Sequence, residues 1–140
     1  MREGELEGHS HPWPIHAAQR SIARMLGRIL GLFRGRPAVV KGTSKLPEGQ
    51  AKKVELGDVL AGGTQVVLCR VEGKLYALDV HCPHDNGRLM GGALIDGKYA
   101  ICPLHNYLFE PSTGRAIRGA CPNAKTYKVK ESGDDCEIWL

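Results

Sequence analysis

At 140 residues the chain suits one domain plus an appendage, and its 18 glycines and short apolar runs point to a turn-rich fold with a modest core. The net charge of +4 is unevenly spread: residues 1–45 hold eight Lys/Arg against three Glu, and residues 46–140 hold eleven against twelve Asp/Glu. The larger part is therefore close to neutral, which leaves a nucleic-acid role without electrostatic support.

Residues 1–16 mix Glu, Gly, His and Pro without periodicity and read as a solvated tail. His9, His11 and His16 are loose metal-ligand candidates, but Pro12 and Pro14 prevent a regular ligand face. Over residues 17–34, Ile22, Leu26, Ile29, Leu30 and Phe33 recur at helical spacing, while Arg20, Arg24 and Arg28 fall four apart on another face. Gly27 and Gly31 each cost such a helix roughly 1 kcal/mol relative to Ala, so it needs a surface to lie on. Its own domain, a partner protein and an anionic membrane surface all qualify. Residues 37–49 are rich in Pro, Gly, Thr, Ser and Lys and read as a linker. The expected organisation is thus a tail, basic amphipathic helix and linker over residues 1–45, and a domain over residues 46–140.

Beyond residue 50 the period changes to two. Strands are expected over residues 53–56, 64–70 and 74–79, the last two joined through Glu72-Gly73. Cys69, inside this apolar run, reads as a buried, inert thiol. His81-Cys82-Pro83-His84 follows. Residues 93–95 and 98–101 flank Asp96-Gly97, a strong hairpin signal, and the second strand leads into Cys102-Pro103-Leu104-His105. Further strands are expected over 107–110, 115–117, 125–130 and 136–140, with a turn at 111–114. The expected class is all-β, with turn signals every eight to twelve residues.

Cys82-x-His84 and Cys102-x-x-His105 each join one thiol and one imidazole, and each pair leaves a strand. Two tight turns brought together would offer two sulfurs and two nitrogens to one inorganic site, which narrows the group to zinc, copper or an iron–sulfur centre. A Cys2His2 zinc site uses the same residue types, but usually pairs like ligands as Cys-x2–4-Cys and His-x3–5-His. Here both pairs are mixed. The pattern resembles that of Rieske-type ferredoxins, in which a [2Fe-2S] cluster keeps two Cys on one iron and two His on the other.

The resemblance covers residues 46–140 and implies stacked antiparallel sheets. It assigns Cys82 and Cys102 to the inner iron and His84 and His105 to the outer, solvent-facing one. It also implies a one-electron carrier without a substrate pocket of its own, not an enzyme in its own right. Respiratory members of the family carry an extra Cys in each loop, forming a disulfide, and supply Ser and Tyr hydroxyls after the second His. Here the loop neighbourhoods Asp85-Asn86-Gly87 and Leu104 contain no Cys, and the hydroxyl positions are Tyr107 and Phe109. Fewer hydrogen bonds to the cluster place the expected potential at the low end of the Rieske range, roughly −150 to +300 mV. Asn106 stands where the family often has Gly, in a turn whose left-handed backbone Asn tolerates. Gly119-Ala120-Cys121-Pro122 resembles the loop that shields the cluster, with Cys121 as a packing residue near it.

By the same resemblance the partners are a flavin reductase and an oxygenase. The alternative is the large subunit of a nitrite reductase, to which the chain would be a fixed small subunit. A zinc-stabilised interaction module is the reading from another class. Five cysteines, two of them assigned to iron, leave an odd remainder that argues for a reducing compartment. With no signal-peptide pattern and no membrane-length apolar stretch, the expected location is cytoplasmic, with residues 17–34 able to touch a membrane surface.

Overall fold

Alternation of apolar and polar side chains after residue 50 is realised as strands. The computed structural model describes residues 36–118 and 120–140; the tail and the helix expected over 17–34 lie outside the described residues. Ten strands are present among those described: β1 (Ala38–Val40), β2 (Gln50–Leu56), β3 (Thr64–Val71), β4 (Lys74–Asp79), β5 (Gly92–Ala93), β6 (Ala100–Cys102), β7 (Tyr107–Phe109), β8 (Ala116–Arg118), β9 (Thr126–Ser132) and β10 (Asp135–Trp139). All pairings are antiparallel. A seven-stranded sheet runs β1-β10-β9-β4-β3-β2-β5, and a three-stranded one runs β6-β7-β8. Among the described residues no helix is long and apolar enough to cross a membrane.

Strand β3 explains where the core sits. Val66, Val67, Leu68 and Cys69 are all buried, so both faces of this central strand are covered. Successive side chains point to opposite faces. Val67 and Cys69 join one apolar cluster with Leu78, Val80, Leu89 and Phe109, which also contains Cys82 and Cys102. Val66 and Leu68 join another with Leu75, Ala77, Cys136 and Ile138. The first cluster is the floor beneath the Cys-His loops. Burial pushes the Cys69 thiol up to about 12, as an inert core residue requires.

Two expectations are corrected. The stretch 37–49, read as a linker, instead contributes β1, paired with β10 through Ala38↔Ile138 and Val40↔Cys136, and a 3-10 turn at Thr43–Lys45. The unit that contains these strands accordingly spans Arg36–Leu140. The Arg70 guanidinium, only 12% exposed, secures this segment. It donates to Leu46 O (2.9 Å), Thr43 O (2.9 Å) and Gly73 O (3.2 Å), and pairs with Glu131 at 3.0 Å. The hairpin around Asp96-Gly97 is also reduced to a single bridge, Ile95↔Tyr99. Its turn forms as expected, with Asp96 and Gly97 at φ 54° and 66°. Its flanks go to different sheets, because β5 pairs with β2 and β6 with β7.

Candidate metal centre

The first loop leaves β4 and is tied down immediately. Asp79 N donates to Lys125 O, Val80 N to Gln65 O, and Leu89 N returns to Val80 O. The Asp79 carboxylate accepts from the Tyr127 hydroxyl (2.7 Å) and from His81 N (2.8 Å), with His81 Nδ1 also 2.8 Å away. Burial alone would raise this carboxyl, but those hydrogen bonds outweigh it and its pKa lies below the usual value. Burial and the neighbouring Asp79 together push the Tyr127 phenol up. The loop then closes on itself through Cys82 N donating to Gly87 O at 2.6 Å.

The second loop is a tight turn between β6 and β7, whose register sets Cys102 opposite Tyr107. Asn106 turns the chain at φ 56°. A left-handed residue costs roughly 1–2 kcal/mol for most L-amino acids and little for Gly or Asn. Asn106→Gly is therefore expected to melt within a few degrees of the parent. Asn106→Val should melt clearly lower in thermal unfolding, and equal melting points would show that the turn relaxes away from this conformation.

The structure brings the four Cys-His residues together pairwise, thiol with thiol and imidazole with imidazole. Cys82 and Cys102 are buried in the same apolar cluster, at 3% and 1% exposure. Burial raises the Cys82 thiol, the His84 backbone N–H opposes this, and the neighbouring Cys102 thiol adds to the rise. His84 and His105 are exposed, their ring centroids 4.9 Å apart with planes at 87°. The donors thus form a buried sulfur pair and an exposed nitrogen pair. Among the described residues no three His, Cys, Asp or Glu side chains converge to hold a single metal ion.

Three further contacts were not readable from the sequence. A Cβ built on Gly87 would lie 2.5 Å from Cys102 Sγ and 3.3 Å from Leu104 Cβ, so the first loop passes the second with no room for a side chain. The Tyr107 ring packs on both imidazoles, 4.4 Å from His84 and 6.1 Å from His105 between centroids. Cys121, half-buried, packs against the cluster that holds Cys82 and Cys102; burial and the Cys102 thiol both push its pKa up. The sequence placed Cys121 in the shielding loop and Tyr107 at a hydroxyl position near the cluster, but gave no sign of the close approach at Gly87 or of the ring packing by Tyr107.

Comparison with known proteins agrees with this geometry. The chain is 40% identical over 97 residues to the ferredoxin component of the naphthalene 1,2-dioxygenase system of Pseudomonas aeruginosa, covering 69% of this chain and 88% of that one. It is 34% identical over 96 residues to the 3-phenylpropionate/cinnamic acid dioxygenase ferredoxin subunit of Escherichia coli, covering 68% and 85%. The ferredoxin of carbazole 1,9a-dioxygenase from Nocardioides aromaticivorans has the same fold, with a TM-score of 0.64, 22% identity, and coverage of 75% of this chain and 98% of that one. A second solved structure, a complex of reduced oxygenase and oxidized ferredoxin in carbazole 1,9a-dioxygenase, matches with a TM-score of 0.62 at 22% identity, over 73% of this chain and 93% of the matched one. Residues 36–130 match the Rieske [2Fe-2S] domain. Two thirds of the sequence, two sheets and a sulfur–nitrogen quartet thus converge on one conclusion: the chain belongs to the Rieske [2Fe-2S] family and carries a single two-iron cluster.

Proposed function

We propose that this chain is a one-electron carrier that takes an electron from a flavin-dependent reductase and delivers it to an oxygenase. Cys82 and Cys102 hold the inner iron, and His84 and His105 the outer one. When bound, the cluster supplies reversible one-electron chemistry. The side chains do the rest. The buried thiols keep their end of the group away from solvent, and the exposed imidazoles bring the other end to the surface, where a partner protein makes contact. The observation that carries this reading is the split of the quartet into a buried sulfur pair and an exposed nitrogen pair. Its relatives are ferredoxin components of dioxygenase systems, which favours an oxygenase over a nitrite reductase as the acceptor. In this reading the protein is a component of an oxidoreductase system with no substrate pocket of its own, and its place is the cytoplasm. The Rieske domain spans residues 36–140, preceded by an appendage whose basic segment 17–34 is suited by sequence to its own domain, a partner or a membrane surface.

Purified protein should contain two irons and two acid-labile sulfides, absorb near 450 nm, and show two nitrogen ligands by pulsed EPR. Colourless protein with zinc would overturn the proposal. Phe109, fully buried in the cluster that holds both thiols, has no hydroxyl to donate. The midpoint should accordingly fall at the low end of the Rieske range, and a titration above about +100 mV would contradict that placement.

A further inference from the structure

We infer that the Tyr107 ring is a positioning clamp that holds the two exposed imidazoles at a fixed mutual angle, doing by packing what a covalent tie between the loops would otherwise do. This rests on the four ligands proposed above. Metal-binding histidines usually donate their second ring N–H to a carboxylate, a carbonyl or water, which fixes the ring plane. Among the described residues the imidazole bonded to a carboxylate is that of His81, to Asp79, and not those of His84 and His105. Both rings are exposed, and they come from different loops. What they share is Tyr107. Its ring lies tilted at 42° against His84 with centroids 4.4 Å apart, and at 51° to His105 at 6.1 Å. The two imidazoles then meet edge to face. All three separations fall near or within the range at which aromatic pairs attract.

Tyr107 is suited to this because its own position is fixed. It is the first residue of β7, half-buried and paired in register with Cys102, so its backbone belongs to the strand that anchors the second loop. Its side chain reaches across to His84 on the first loop. No disulfide joins the two loops. Ring packing of this kind is worth about 0.5–1.5 kcal/mol per pair beyond area burial, which corresponds to about two- to tenfold in an equilibrium or a rate.

The test compares Tyr107→Phe and Tyr107→Leu in the cluster-loaded full chain. The readouts are the bleaching rate of the visible band in excess chelator, the g-values of the reduced protein by EPR, and thermal unfolding of the cluster-free chain. Phe keeps the ring and should match the parent throughout. Leu should lose its cluster about two- to tenfold faster and shift the g-values, which respond to imidazole orientation, while the cluster-free chain melts near the parent. A Leu chain that takes up no cluster beside a Phe chain that does also supports the clamp. Leu indistinguishable from the parent in bleaching and g-values overturns it. So does Phe behaving as poorly as Leu, which would make the hydroxyl the agent. Parent protein without iron would sink the ligand assignment instead, before any variant is compared.

Discussion

Gly87→Ala is expected to give a chain that folds but cannot keep its iron. The position needs Gly for space rather than for an unusual backbone: the added methyl carbon would sit 2.5 Å from Cys102 Sγ, well inside contact distance. The backbone cannot retreat cheaply, because Gly87 O holds the Cys82 amide at 2.6 Å. Either the Cys102 thiol swings away from Cys82, or the first loop lifts and takes Cys82 with it. Both outcomes separate the sulfur pair. Overpacking of this kind costs about 1–3 kcal/mol, so cluster retention should fall by about one to two orders of magnitude. Iron and acid-labile sulfide per chain, followed during chelator challenge, measure this directly. Circular dichroism should still report the sheets, since the strain falls in the loops. An alanine variant with its full iron complement would mean that the loops stand further apart than described.

Arg70→Ala should be the most damaging single change to the scaffold, at about 3 kcal/mol or more. Three of its partners are main-chain carbonyls, Thr43 O, Leu46 O and Gly73 O, and they belong to two separate turns. Charge-assisted hydrogen bonds contribute about 1.5–3 kcal/mol each in favourable cases, and Leu46 O left without this partner adds a penalty, while Thr43 O still accepts from Leu46 N. The pair with Glu131 matters less, because that carboxylate is 40% exposed and exposed pairs contribute only about 0–1 kcal/mol. The carbonyl contacts should therefore dominate. Arg70→Lys restores the charge without the planar fork and should recover little. Thermal unfolding of the cluster-free chain is expected to drop by roughly 15 °C for Ala in a domain of about 100 residues. Glu131→Gln should cost a small fraction of that, and equal losses from both variants would make the ion pair the main term.

What was legible in the amino-acid string was whatever depends on near neighbours. The Cys-x-His and Cys-x-x-His pairs announce the family because their donors are one or two residues apart. The apolar run along Val66, Val67, Leu68 and Cys69, with Glu72-Gly73 after it, is enough to define β3, β4 and the turn between them. Asn106 was identified as a residue able to turn left-handed, and its φ of 56° agrees. Interactions across long separations were not legible. Ala38 meets Ile138 at the far end of the chain, so a three-residue edge strand among Pro, Gly, Lys and Ser looked like a linker. The flanks of Asp96-Gly97 looked like partners for each other because nothing local reveals that β2 and β7 compete for them. The roles of Gly87 and Tyr107 depend on how closely two loops pass, a distance no spacing rule encodes.

Both borders of the large sheet are its briefest members, β1 with three residues and β5 with two. Beyond β5, the remaining open flank of β2 carries Lys52, Lys53 and Glu55, which another chain would have to bury in order to add itself there. Short borders and charges at an open flank deny foreign strands a template. A molecule built to be touched and released by other proteins at its loop tips is thereby shielded from sticking to its neighbours, or to its own copies, along its sides.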